Sequence, residues 1–432
     1  MSPRRTITVL ILAALLAITA AADADEATDW PQLHGPSRDG VYRGPALVDS
    51  LPSAGPAVTW RKKVGLGFAG PSVADGKLVL FHRMAEKEIL DCLDAATGKP
   101  LWTASYPASY RDRFGFDEGP RAVPTIDNGR VYTNGAAGIL SCTDLKNGKK
   151  IWRLDTHASF KPRESFFGTA CAPLVSGGKV FVQVGGTAGI DAGGKGSGIV
   201  AFDSETGKPL WGATSDEAGY SSPVIGKLDG KTRLVCFTRT GIVILDPGTG
   251  NILYEKRWRA RIGAAVNAAT PVLTNDMVYF SSSYQTGSIC LKVSGDDYRE
   301  LWSGDRILSS HYSSSIQSSG YLYGFDGRQE YGTQLRCVSL AGGKIAWSEA
   351  QPGEKRFGSG TLILAGDKLL VMADSGELIL ARVSPKGYSR LGSAAILHET
   401  VRAYPALAGG FLYARSTGEL VCVDLRKETK AK

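Results

Sequence analysis

One phrase of eleven residues recurs along the chain and narrows the possible folds more than any other feature. It reads Cys92-Leu-Asp-Ala-Ala-Thr-Gly-Lys-Pro-Leu-Trp102, then Cys142-Thr-Asp-Leu-Lys-Asn-Gly-Lys-Lys-Ile-Trp152, then Ala201-Phe-Asp-Ser-Glu-Thr-Gly-Lys-Pro-Leu-Trp211. Weaker copies end at Tyr254, Trp302, Trp347 and Leu391, and Trp60 stands as an isolated last strand. From Trp60 onward the spacings are 42, 50, 59, 43, 48, 45 and 44 residues. A period of about 40–50 residues made of short apolar runs is the signature of propeller blades.

Within one unit the local chemistry supplies four strands. Pro71-Ser-Val leads into an Asp75-Gly76 turn, followed by Lys77 to Phe81, Glu88 to Leu93, a turn over Asp94 to Gly98, and Pro100 to Trp102. Asp bonds its own backbone and Gly takes the positive-φ position, so consecutive strands close as tight hairpins. Pro at the first residue of a strand costs no ladder bond, and it recurs there at 71, 124, 173, 223, 271 and 405. The expected fold is all-β, an eight-bladed β-propeller of four-stranded antiparallel blades. Seven units are complete, and the eighth has three strands, at Tyr404 to Ala408, Phe411 to Arg415 and Glu419 to Asp424. Ala57 to Lys63 supplies the missing fourth, so an N-terminal strand closes the last blade and removes the open sheet edge.

The cysteines keep the same register. Cys92, Cys142, Cys290, Cys337 and Cys422 fall on one position of the third strand, where other units carry Ala201, Ile244 and Ala381. Equivalent positions of different blades are spread around a ring, too far apart for disulfides. Cys171 and Cys236 are expected in a first and a second strand, and no disulfide framework is expected.

Composition sets the remaining bounds. With 53 Gly among 432 residues and 43% hydrophobic residues, the chain is neither collagen-like nor disordered. Arg4 and Arg5 precede an apolar run from Ile7 to Ala20 and a small-residue site at Ala20-Ala21-Ala22, which reads as a signal peptide over residues 1–22. The run is too short to span a bilayer. The first cysteine is Cys92, so no lipid-bearing cysteine follows the cleavage site. Removing two Arg lowers the net charge from +8 to +6, which gives no case for nucleic acid. The expected organisation is a signal peptide (1–22), an N-terminal lead-in (23–56), a single propeller (57–425) and a charged tail (426–432), in a periplasmic or secreted monomer.

The phrase A-x-D-x-x-T-G-x-x-x-W resembles the repeat of the PQQ-like, or quinoprotein alcohol dehydrogenase-like, β-propellers. Trp30-Pro-Gln-Leu-His-Gly-Pro-Ser-Arg-Asp-Gly40 is similar to the opening motif of secreted members, and the likeness runs from residue 30 to 425. That family includes dehydrogenases that hold pyrroloquinoline quinone (PQQ) with calcium, and BamB-like scaffolds that catalyse nothing. The resemblance implies for an enzyme a vicinal Cys-Cys pair, a Trp beneath the quinone and an Asp base; no two cysteines are adjacent here. The BamB-like members carry a lipid-bearing cysteine, which this chain also lacks.

Strand alternation assigns the loops to faces. Turns between first and second and between third and fourth strands share one face; second-to-third turns and blade-to-blade connections share the other. The second set is long and varied, as binding loops on a rigid scaffold are. Around it lie Arg113, Phe114, Arg121, Arg163, Phe166, Phe167, Tyr220, Arg261, Asn267, His311, Tyr312, Arg356, Arg402 and Tyr404. Guanidinium groups beside rings suit an anionic ligand, a glycan or an extended peptide. The competing reading makes the Arg solvated and the rings filler between blades.

Other signals carry less. Gly189 to Gly196 nearly spells a phosphate loop, but Gly196 stands where Ser or Thr would hold magnesium. The five histidines lack metal-ligand spacing. Asp117, Glu118 and Glu164 are open to acid-base or calcium roles, or to pairing with neighbouring Arg. The functional expectation is a non-catalytic binding scaffold for a protein, peptide or glycan, with no cofactor and no metal. The alternative is a small quinoprotein oxidoreductase using PQQ and calcium on alcohols or sugars.

Overall fold

A computed structural model describes residues 28–427 apart from 164, 188, 190–195, 264–265 and 350–357. The signal-peptide segment, Arg356, Glu164, most of the glycine loop and the end of the tail lie outside the described residues. Eight antiparallel sheets follow one another along the chain and form an eight-bladed β-propeller. In blade 1 the strands are Ser72–Ala74, Lys77–Met84, Lys87–Asp94 and Pro100–Pro107. Blade 8 is closed by Ala57–Lys63, which pairs antiparallel with Glu419–Asp424. Among the described residues no helix is long and apolar enough to cross a membrane.

The repeated phrase is a latch between neighbouring blades. In six of the eight blades a Cys or Ala of the third strand faces the Trp of the fourth, as with Cys92 opposite Trp102, Ala201 opposite Trp211 and Cys422 opposite Trp60. The ring then reaches the next blade. Trp152 donates Nε1–H to the Ser204 carbonyl at 3.0 Å, and Trp60, Trp102, Trp211, Trp302 and Trp347 make the equivalent bond to Ala95, Leu145, Pro247, Leu340 and Ser384. Ser204 lies in the turn of the next phrase, where Asp203 Oδ1 accepts from the backbone N–H and hydroxyl of Thr206. Gly207 of that turn has φ +70° and lies beneath the Trp152 ring, where a Cβ would come within 2.6 Å of Cε3. Blade 7 departs from the expected register: Ala381 faces Arg390, and Leu391 falls in the adjoining bulge.

All seven cysteines are free and buried. Cys171 lies just ahead of the first strand Leu174–Ser176 rather than within it, and Cys236 sits in the second strand Lys231–Phe237 as expected. The core lies between blades. Val79, Phe81 and Cys92 of blade 1 pack on Ile126, Val131 and Leu145 of blade 2, for example. Burying one such large apolar side chain contributes roughly 1.5–3 kcal/mol.

The lead-in runs through the centre of the ring. Trp30 bridges to Val73 of blade 1, and Val41–Tyr42 adds a short parallel strand to the inner edge of blade 7. Between them Arg38 occupies the channel, 7% exposed. Its guanidinium donates to the carbonyl of Pro223 at 2.8 Å, to the carbonyl of Pro173 and to Thr125 Oγ1, while Nε–H donates to Gln32. The carbonyls of the strand-opening prolines are thus the acceptors that seat the plug. Burial pulls the Arg38 pKa down to about 10.

Candidate functional site

The blade 1 to blade 2 connection is organised by one carboxylate. Asp112 Oδ1 accepts from the Phe114 N–H, and Oδ2 from the N–H groups of Phe116 and Asp117 and from Arg121 Nη2. Asp117 accepts from the N–H groups of Gly67 and Gly119, so its carboxylate fixes the loop base and pairs with backbone rather than with Arg. Glu118 does pair with Arg, at 3.2 Å from buried Arg83 and 3.4 Å from Arg111. On this frame Phe114 and Phe116 project outward, 52% and 55% exposed.

Rings from the next two connections meet them. Phe167 lies 5.5 Å from Phe114, 5.8 Å from Phe116 and 5.7 Å from Tyr220, between ring centroids, and Phe166 lies 5.6 Å from Phe114. The Tyr220 hydroxyl accepts from the Phe167 N–H at 3.0 Å, and its burial raises the phenol pKa. Arg239 lies under the Phe166 ring at 4.7 Å and shares Glu217 with Arg163. Burial, and then the neighbouring Arg239 charge, push the Arg259 guanidinium below its usual range.

Behind these rings the mouth of the channel is a cavity of about 230 Å³. Phe68, Phe116, Phe167, Tyr220, Tyr284, His311 and Tyr312 line it, together with Leu33 of the plug, which packs with buried Val123 and Ala172. Arg121 and Arg402 both border it but differ in chemistry. Arg121 donates to the carbonyls of Asp117 and Gly119 and to Asp112, so it holds its own loop. Arg402 lies over Phe68 at 5.4 Å and Phe116 at 5.6 Å, and among the described residues its guanidinium has no hydrogen bond or ion pair. Its charge opposes the burial that raises the Asp374 carboxyl pKa, although the two are not paired.

His311 accepts or donates at both nitrogens, to Tyr284 Oη at 2.8 Å and to Gln329 Oε1 at 2.5 Å. Gln329 Oε1 only accepts, so Nδ1 carries the proton and Nε2 accepts from Tyr284. Burial holds the imidazole pKa below its ordinary value. Tyr404 ties three parts together: its hydroxyl donates to the Tyr312 carbonyl at 2.8 Å, accepts from the Ser314 N–H, and its ring lies 4.6 Å from His34 of the plug.

Of the residues singled out from sequence, Arg121, Phe167, Tyr220, His311, Tyr312, Arg402 and Tyr404 line the cavity, with Phe114 and Phe166 packed on its rim. Arg113 and Arg261 are exposed beyond it, and Arg163 is held by Glu217. Asn267 is buried, and its amide is bonded inward to Thr238, Trp258 and Ser282. Phe68, Tyr284 and Leu33 were not anticipated. Phe68 and Tyr284 are single aromatics in looped-face turns, a signal the sequence does carry; Leu33 enters only through the plug.

Fold and site together define a PQQ-like β-propeller whose looped face ends in an aromatic-walled cavity. The chain belongs to the family described as outer membrane protein assembly factor BamB, whose model matches residues 85–349 and 257–432. Among solved structures it is similar to BamB from Moraxella catarrhalis, with 15% identity, a TM-score of 0.61, and coverage of 87% of this chain and 99% of that one. The quinohemoprotein alcohol dehydrogenase ADHIIG from Pseudomonas putida HK5 aligns at 14% identity and TM-score 0.50 over 95% and 82%. The computationally designed Ika8 protein aligns at 14% and 0.55 over 88% and 100%. At these identities the likeness is one of fold. A search of curated proteins finds no significant match.

Proposed function

We propose that this protein is an exported, non-catalytic binding scaffold that holds a partner protein on its looped face. The observation that carries the reading is the pair Phe114 and Phe116, half exposed on a loop made rigid by Asp112 and backed by Phe166 and Phe167. Exposed aromatics beside Arg, on a pre-ordered surface, are the composition of an interface hot spot. The family match to an outer membrane protein assembly factor supports a protein as the partner and the cell envelope as its place. The exposed apolar residues Leu101, Ile151 and Leu210 lie singly on outer strands and give an internal control.

The test is capture from an envelope extract by the purified protein, by a Phe114→Ser/Phe116→Ser variant and by a Leu101→Ser/Leu210→Ser variant. Capture lost only in the first is expected. Equal capture by all three contradicts the reading.

The alternative, a quinoprotein oxidoreductase, is tested against the side chains themselves. PQQ brings three carboxylates and its calcium ion. Among the described residues no group of three His, Cys, Asp or Glu converges as metal ligands, and at the cavity Arg402 is the guanidinium left unbonded. These residues do not fit the group. Incubation with PQQ and calcium followed by buffer exchange decides: retained quinone absorbance with dye reduction by alcohols or sugars would establish the enzyme.

A further inference from the structure

We propose that the looped-face cavity captures the carboxyl-terminal residue of a protein partner, with Arg402 pairing the terminal carboxylate and the aromatic walls taking an apolar last side chain. The inference rests on the scaffold reading and names what the scaffold grips.

The plug blocks the channel beside the cavity: Leu33 lines the cavity and is buried, and Arg38 of the same segment is bonded to the carbonyls of Pro173 and Pro223, which leaves the looped face as the way in for a guest. A continuous strand laid through the channel has no exit, whereas a chain end needs none. The volume of about 230 Å³ holds one large side chain and a carboxylate, not a folded element.

The polar groups favour an anion, because Glu330, the carboxylate in the lining, is already paired with Arg328 at 2.9 Å. Arg121 is occupied by its own loop, but Arg402 presents its fork without a hydrogen-bond or ion-pair partner among the described residues while Phe68 and Phe116 lie against it. A guanidinium partly withdrawn from water and lacking a partner is a bidentate receptor for a carboxylate. The walls are mostly apolar, which disfavours a glycan: its many hydroxyls would be buried with few groups to bond. An internal Asp or Glu supplies the charge but brings peptide groups on both sides against the rings. A terminal carboxylate on a Phe or Leu satisfies both demands.

The experiment is ligand-observed NMR titration of the purified protein with a short peptide ending in Phe, its carboxamide, and glucuronate as the glycan arm. The acid is expected to bind at least about tenfold more tightly than the amide, a difference of ~1.4 kcal/mol. Arg402→Gln is expected to reduce the acid to the level of the amide, and Arg402→Lys to recover part of the difference, with unfolding curves unchanged in both. Equal binding of acid and amide, insensitivity to Arg402→Gln, preference for glucuronate, or no binding by either peptide overturns the proposal. If partner capture persists in those cases, the scaffold reading stands without it; if Phe114→Ser/Phe116→Ser also leaves capture untouched, both fall.

Discussion

The guanidinium of Arg38 donates to the carbonyl oxygen of Pro223 at 2.8 Å, across 185 residues of chain. With Pro173 and Thr125 as further acceptors, one side chain bonds the starts of three blades from the axis of the ring. A charged donor makes each such bond worth about 1.5–3 kcal/mol, offset by the cost of burying the cation. Arg38→Ala leaves those acceptors facing a void and is expected to lower stability by about 2–4 kcal/mol in urea unfolding. A loss below about 0.5 kcal/mol, the range of ordinary surface substitutions, would show that the plug does not brace the ring.

Acid should loosen the same plug through His34. Burial, and then the Arg38 charge, lower the His34 pKa from 6.5 to about 4. Between those values the unfolded imidazole binds a proton that the folded one refuses, so the unfolded state carries more protons and stability falls as pH falls. The full contribution is present above about pH 6.5 and is lost progressively toward pH 4, on the order of 3 kcal/mol. Unfolding free energies measured from pH 7 to pH 4 should slope downward in the wild type and less steeply in His34→Gln. Parallel slopes would contradict the assignment.

Two glycines separate conformational strain from close approach. Gly76 and Gly207 have φ of +68° and +70°, but a Cβ at Gly76 meets nothing within 4 Å while one at Gly207 meets the Trp152 ring at 2.6 Å. Gly76→Ala should therefore cost about 1–2 kcal/mol, the left-handed penalty alone. Gly207→Ala should cost clearly more, because it also displaces the ring and its bond to Ser204. Equal losses in thermal or denaturant unfolding would show that the ring yields freely.

Much of this architecture was legible because the repeat is local and periodic. Phe411–Arg415, Glu419–Asp424 and Ala57–Lys63 have the bounds that alternation and turn residues predict. The inner strand expected from Tyr404 pairs only over Ala406–Ala408, since Tyr404 is drawn to Tyr312 and Ser314 across the cavity. The path of residues 30–43 through the channel was not legible: its partners at Pro173, Pro223 and Leu364 are distant in sequence, and the segment has no period. In the cavity, Arg121 and Arg402 look alike as Arg near an aromatic. What separates them is Asp112, whose bonds to Phe114, Phe116 and Asp117 fold the loop around Arg121, whereas Arg402 has no such carboxylate among the described residues.

The central claim, that the looped face is where a partner is held, is tested most directly by site-specific photo-crosslinking in intact cells. A photoreactive residue at Phe116 is expected to yield a discrete crosslinked protein that diminishes when Arg402→Gln is introduced in the same chain, while the same residue at Leu210 on the outer rim yields none. A crosslink at Leu210 with none at Phe116 would contradict the account.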